Sequence, residues 1–251
     1  MAMSIVEKYE PGMFCWIELA TSDAAAAKTF YTSLFGWAAN DMPIPDGVYT
    51  MLKKNGHDLG ALYQTKEIPP NWATYVAVAN ADESAKKAGE LGATIVAPPF
   101  DVMDIGRMSF LADPQGATFA IWQAKKHIGA TIRDEPNTLC WNELMTSDID
   151  GARDFYKSLF GWNLKVSAEY TEVHVGERPA GGMMQMPNDM RGMPSSWSPY
   201  FAVDDCDAIV AKAKSLDAQV YVPPTDMASI GRFAVLADPQ GAAFDVIKLS
   251  Y

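Results

Sequence analysis

One stretch of this chain occurs twice. Residues 14–37 read FCWIELATSDAAAAKTFYTSLFGW, and residues 139–162 read LCWNELMTSDIDGARDFYKSLFGW. The same spacing carries Asp23 to Asp148, Trp72 to Trp197, Tyr75 to Tyr200, Arg107 to Arg232, and Asp113-Pro-Gln-Gly-Ala to Asp238-Pro-Gln-Gly-Ala. The step is 125 residues, half of a 251-residue chain. Solenoid repeats are roughly 20–50 residues long, so this is the duplication of a whole domain. Each copy therefore tests the other. A residue type present in only one copy is not required by the shared fold.

Two domains of this length match ordinary domain size, and each can bury its own core. The expected division is a first domain at 1–124, a linker at 125–137 and a second domain at 138–251. The linker stretch mixes Lys, His, Gly, Asp, Glu and Pro without periodicity. Thirty-one acidic residues against 20 Lys and Arg give a net charge of −11, which speaks against a nucleic-acid partner. No apolar run approaches membrane-span length, and the N-terminus lacks a basic segment followed by an apolar run. The three cysteines, Cys15, Cys140 and Cys206, have no CxxC spacing. Buried thiols in a reducing cytoplasm are the expectation. The chain is expected to be a monomer or a homodimer with a small-molecule ligand.

In each copy a short apolar strand runs into Thr-Ser-Asp, a helix N-cap signal. The following residues Ala27, Phe30, Tyr31, Leu34 and Phe35 recur at helical spacing, and Gly36 suits the helix end. Two alternating segments around Asn55-Gly56 predict a hairpin. A second strand, helix and hairpin follow, closed by the turn Asp113-Pro-Gln-Gly. Each domain thus reads as βαβββ followed by βαβββ.

The paired βαβββ unit, the capping Asp, the helix ending in Leu-Phe-Gly-Trp and the Asp-Pro-x-Gly hairpin resemble the vicinal oxygen chelate superfamily. That group includes glyoxalase I, extradiol dioxygenases and bleomycin-resistance proteins. The Trp-x-Glu-Leu-x-Thr-Ser-Asp opening resembles its tandem-domain "hydroxylase-like" subgroup. The resemblance implies an α+β fold of two tandem glyoxalase-like domains. Each would be a curved, partly closed mixed sheet with helices outside and a site in the concavity.

Strand parity assigns faces to that cup. Cys15, Ile17 and Leu19 should face helices, and Trp16 and Glu18 the cup, as should Trp141 and Glu143. Tyr75 and Tyr200 should point into the cup, with Thr118, Ala120 and Trp122 in the first copy and Ala243, Asp245 and Ile247 in the second. The loops Pro98–Gly106 and Pro223–Gly231 are expected to cover the cups, with Met103 and Met227 as lid residues.

Metal-dependent members of the superfamily hold a cation with His and Glu from several cup strands. Carried onto this chain, those positions fall on Trp16 and Trp141, near Leu62-Tyr63 or Met183-Met184, near Ala73 and Ser198, and on Ala120 and Asp245. Only Asp245 is a ligand type. No bound cofactor and no metal site of the superfamily's kind are expected. The three histidines, His57, His127 and His174, have no metal-ligand spacing.

Glu18 and Glu143 are the candidate catalytic residues, as general bases in an apolar pocket. Alternatively they tie strands together through ion pairs to Arg107 and Arg232. Trp16, Trp141, Tyr75, Tyr200 and Trp122, with Arg107, Arg232 and Asp245, are the candidate ligand-binding residues. The aromatic rings either wall a pocket for a small apolar molecule or fill the cup themselves. Three functions stay open: a small-molecule-binding protein, a lyase or isomerase acting on a small carbonyl compound, and an interaction protein with filled cups.

Overall fold

The computed structural model describes residues 5–45 and 47–250. The first domain runs β1 (Phe14–Thr21), α1 (Ala24–Phe35), β2 (Ala38–Ile44), β3 (Gly47–Lys54), β4 (His57–Gln64), β5 (Asn71–Ala77), α2 (Ala81–Glu90), β6 (Thr94–Val102), β7 (Gly106–Ala112) and β8 (Thr118–Ala124). The second runs β9 (Leu139–Thr146), α3 (Ile149–Phe160), β10 (Asn163–Val166), β11 (Thr171–Val175), β12 (Arg178–Gln185), β13 (Ser196–Ala202), α4 (Cys206–Ser215), β14 (Gln219–Met227), β15 (Gly231–Ala237) and β16 (Ala243–Leu249). This is βαβββ four times. The strands form two eight-stranded sheets in the orders β2-β3-β4-β1-β5-β8-β7-β6 and β10-β11-β12-β9-β13-β16-β15-β14. Units therefore pair within each domain and are not exchanged across the linker.

The expected local signals act as read. Asp23 and Asp148 cap their helices by accepting from the Ala26 and Gly151 N–H groups, and Gly36 and Gly161 end them in the left-handed conformation. The expected covering loops are instead strand. Residues 94–102 and 219–227 form the edge strands β6 and β14, whose proline pairs coincide with breaks in register. An edge strand tolerates a residue that cannot donate to the ladder. Met103 points to solvent at 73 % exposure.

The helices lie on the convex faces of the sheets, and these faces meet each other. One buried cluster joins Ile17, Tyr31, Phe35 and Trp37 to Phe201, Val210 and Phe244 of the second domain. Its counterpart joins Phe14, Val76 and Phe119 to Phe155, Trp162 and Trp197. The two sheets also touch directly, where Thr74 Oγ1 of β5 donates to Asn142 Oδ1 of β9 at 2.7 Å. Two buried triads tie the domains together. Tyr31 Oη donates to Asp238 Oδ2 at 3.1 Å and accepts from Trp72 Nε1 at 2.9 Å. Tyr156 Oη donates to Asp113 Oδ2 at 2.9 Å and accepts from Trp197 Nε1 at 2.8 Å. Each Asp-Pro-Gln-Gly aspartate thus serves its own hairpin and the opposite domain's first helix.

The segment 125–137 is pinned to the first domain. Ala130 N donates to Cys15 O and Thr131 N to Asp58 O. A Cβ on Gly129 would lie 2.2 Å from Cys15 O, so only glycine lets the chain cross β1 this closely.

Candidate functional site

Parity holds for most of the cup and fails at one place. Ile17, Leu19, Val76, Phe119 and Ile121 pack on helices, while Trp16, Tyr75, Ala120 and Trp122 share a separate cluster in the first concavity. Cys15 belongs to that cup cluster and not to the helix face. A register shift between Phe14 and Trp16 breaks the alternation there.

Glu18 does reach the cup, but its partners are phenols. Tyr49 Oη donates to Oε2 at 2.5 Å and Tyr75 Oη to Oε1 at 2.9 Å. The second domain repeats this array. Tyr170 Oη donates to Glu143 Oε2 at 2.8 Å, Tyr200 Oη to Oε1 at 2.9 Å, and Trp141 Nε1 to Tyr170 Oη at 2.9 Å. Burial raises both carboxyls above their ordinary range, and the phenol bonds only partly offset it.

The expected ion pairs to Arg107 and Arg232 are corrected. Arg107 is bidentate to Asp82 in the first turn of α2, at 2.7 and 2.8 Å, and Arg232 likewise to Asp207 of α4, at 2.7 and 3.0 Å. On β7, Arg107 pairs with Gln123, while its neighbour Met108 pairs with the cup residue Trp122. Arg107 therefore points away from the cup, and Arg232 occupies the same place.

The two cups differ in openness. In the first, Trp16, Met51, Tyr75, Met108 and Trp122 are all buried in one cluster. His127 of the linker stands edge-on to Trp16, with ring centroids 4.9 Å apart, and its carbonyl accepts from Trp122 Nε1. In the second, Trp141, Glu143, Tyr170, Ser198 and Phe233 are only half-buried. Beneath them lies Asp245, 3 % exposed, accepting a hydrogen bond from Ser198 Oγ. Burial pushes the Asp245 carboxyl up to about 8, the Ser198 bond opposes this, and the nearby Glu143 adds to it. The first domain has Ala120 and Ala73 in the places of Asp245 and Ser198. A wide cleft of about 590 Å³ also opens between α2 and β6, but Asp82 on its rim is already held by Arg107.

Gly182 is part of the second array. It pairs with Glu143 across the parallel β12–β9 ladder, and a Cβ there would lie 1.8 Å from Tyr170 Oη. Gly182→Ala is expected to expel the Tyr170 hydroxyl from Glu143 and destabilise the protein by about 1–3 kcal/mol, as overpacking does. Urea unfolding gives the loss. An unchanged Glu143 carboxyl shift by NMR would contradict the displacement.

The donor set does not fit the cation that metal-dependent superfamily members hold. The equivalent strand positions present Trp16 and Trp141, whose indoles offer no lone pair, and Glu143 is already held by two phenols. His174 lies on β11 with Nε2 2.9 Å from Glu172 Oε1, and the two carry no third ligand-type side chain beside them among the described residues. Among the described residues, no three His, Cys, Asp or Glu side chains come together around one point.

The family pattern described as Glyoxalase/Bleomycin resistance protein/Dioxygenase superfamily matches residues 14–121 and again 138–246. The chain belongs to this superfamily. Of its superfamily relatives, CFP32 of Mycobacterium tuberculosis, which carries a glyoxylase name, is 44 % identical over 253 residues, covering 96 % of both chains. The anthracycline biosynthesis protein DnrV of Streptomyces peucetius is 34 % identical, covering 96 % of this chain and 95 % of that one. Among solved structures, a Mn(II)-bound glyoxalase from Novosphingobium aromaticivorans superposes with a TM-score of 0.67 at 13 % identity, covering 95 % of this chain and 82 % of that one. A substrate complex of homoprotocatechuate 2,3-dioxygenase from Brevibacterium fuscum gives 0.69 at 15 %, covering 99 % and 85 %. At these identities the structural likeness speaks for the superfamily fold alone.

Tyr49 and Tyr170 are site residues that the repeat conceals. They are 121 residues apart, not 125, because the β10–β11 hairpin of the second copy is four residues shorter than its counterpart β2–β3. A search for an aromatic residue two strands from each glutamate, made separately in each copy, would have found them.

Proposed function

We propose that the second cup binds a small organic molecule and that the first is a closed, structural copy. One contrast carries this reading. Both domains hold the same array of Trp, Glu and two Tyr, and Tyr49 and Tyr170 are half-buried alike, but Trp16 and Glu18 are buried while Trp141 and Glu143 are reached by solvent. Only there does the floor gain Asp245 and Ser198, two polar residues the fold does without in its other copy. An apolar-walled concavity with a few convergent polar groups is the usual form of a ligand site. The relatives are named a glyoxylase and an anthracycline biosynthesis protein, and both names point to small organic molecules. No metal takes part in this reading, since the cup offers no set of donors for one. No helix is long and apolar enough to cross a membrane, and the three free thiols suit a reducing cytoplasm.

The interaction-protein alternative fits the first cup, which its own side chains fill. A catalytic reading of the second cup is favoured by the proximity of Glu143 and Asp245. Burial, with the nearby Glu143 adding to it, keeps a proton on Asp245 beside the phenol-held Glu143, and one carboxyl that holds a proton next to one that accepts one suits acid–base work at a carbonyl. Glu143 would then take the proton, and Asp245 would supply one to the substrate oxygen.

The test is a small-molecule titration of protein labelled with 5-fluorotryptophan, whose seven indoles report separately. A ligand is expected to move the Trp141 resonance and leave Trp16 and Trp122 in place. Movement of Trp16 and Trp122 alone would refute the assignment of the open cup. With a ligand in hand, Glu143→Gln separates the two readings: loss of turnover with binding retained marks an enzyme.

A further inference from the structure

The charge of the second cup is one-sided. Burial is the largest influence on both Glu143 and Asp245, and no cation acts on either. Arg232, the cation the repeat places nearest, is spent on Asp207 and Asp226 at the helix face. Glu172 faces the same side, opposite Gly182 in register, with His174 Nε2 2.9 Å from its Oε1. Lys165 pairs with Glu172 from the outermost strand β10 and is exposed. The strand register sets Ser198 opposite Glu143 while its hydroxyl donates to Asp245, so both carboxyls flank one small side chain.

Buried carboxyls without a counter-charge are costly, and either a proton or an incoming cation relieves them. Protons alone would serve a purely structural floor, yet the first copy manages that floor with Ala73 and Ala120. The walls add a second, independent observation. The rings of Trp141, Tyr170 and Tyr200 surround the carboxyls, and aromatic faces attract ammonium groups. Carboxylate and aromatic ring together are a receptor for positive charge that must also be desolvated. The same field repels carboxylates, phosphates and other anions.

On the reading that the second cup is the ligand site, we propose that its ligand is cationic: an alkylammonium or quaternary ammonium group on an apolar or aromatic body. The cation lies against Glu143 and Asp245 among the Trp141, Tyr170 and Tyr200 rings. The rest of the ligand lies toward Phe233 and Val235, which pair with Ile247 and Asp245 on the same face.

Choline and 3,3-dimethyl-1-butanol test this directly, since they differ only in carrying nitrogen or carbon at the branched centre. The permanent charge of choline also keeps ligand titration out of the comparison. The Trp141 fluorine resonance is followed for both. At about pH 9, where the Asp245 carboxyl is ionised, choline is expected to bind at least about ten-fold more tightly than the alcohol, and Asp245→Asn to remove most of that preference. Equal or tighter binding of the alcohol at Trp141 would overturn the cationic ligand and leave the site intact. A choline preference indifferent to Asp245→Asn would also overturn it. Silence of Trp141 toward both at tens of millimolar overturns it as well, and the site itself is then judged by the wider titration above.

Discussion

Asp245→Asn is expected to stabilise the protein, and to do so increasingly as the pH rises. Asp245 goes from an ordinary carboxyl pKa of 3.8 to about 8 in the folded chain, chiefly through burial. Between those values the folded state keeps a proton that the unfolded state has released. Stability contributed by this group is therefore fully present below about pH 4 and is lost as the pH climbs through 8. The slope is at most about 1.4 kcal/mol per pH unit, so the ceiling is on the order of 5 kcal/mol. Asparagine has no proton to lose, and it can still accept from Ser198. The difference between variant and wild type should start near zero in mild acid and reach its plateau above pH 8. Urea unfolding of both proteins across that range measures it. A difference that does not change with pH would mean that the native carboxyl titrates normally and is not held protonated. A residue that costs the fold this much at neutral pH, and whose repeat partner is Ala120, is the kind retained for a site.

The fold was legible because the duplication supplied an internal control. Helix caps, the Asp-Pro-Gln-Gly turn and period-two alternation are local signals, and they placed Trp16, Tyr75 and Trp122 in the cup. Four things were not legible, each for a physical reason. The bulge at Cys15 breaks parity without any residue that announces it. Recurrence at one spacing identified Arg107 and Arg232 as structurally important but was silent on which face they occupy. The short Asp-Pro-Gln-Gly turn, which sets Arg107 opposite Gln123, would have decided that. The openness of the second cup depends on how bulky side chains and the linker fill the first. Met51, Met108 and Trp122 answer to Glu172, Phe233 and Ile247, and no single substitution among these signals a change of exposure. The edge-strand character of β6 was hidden by Pro98-Pro99, which reads as loop until the free edge of a sheet is known to run there.

Removing the hydroxyls of Tyr31 and Tyr156 is expected to be among the most damaging conservative changes in this protein. Each phenol is buried between the domains, donating to the aspartate of the opposite hairpin and accepting from a tryptophan N–H. Phenylalanine preserves the ring packing of Tyr31 on Trp37 and of Tyr156 on Trp162 but leaves an indole N–H and a carboxyl oxygen without partners. A buried polar group left unpaired costs about 1–3 kcal/mol, so each variant should lose about 2–4 kcal/mol. The aspartate is not free to turn elsewhere: Oδ1 of Asp113 already accepts from Gln115 N and Ala117 N, and Oδ1 of Asp238 from Gln240 N and Ala242 N. The two triads share no residue, so their losses should add. The double variant then loses about 4–8 kcal/mol, comparable with the whole stability of an ordinary domain. Because each hydrophobic cluster spans both domains, wild type should unfold in one transition. Urea unfolding followed by tryptophan fluorescence reads both quantities. A double variant within about 1 kcal/mol of wild type would mean that the interface rests on apolar packing alone, with water replacing the lost partners. Two separated transitions in wild type would mean that the triads join domains that are already stable by themselves.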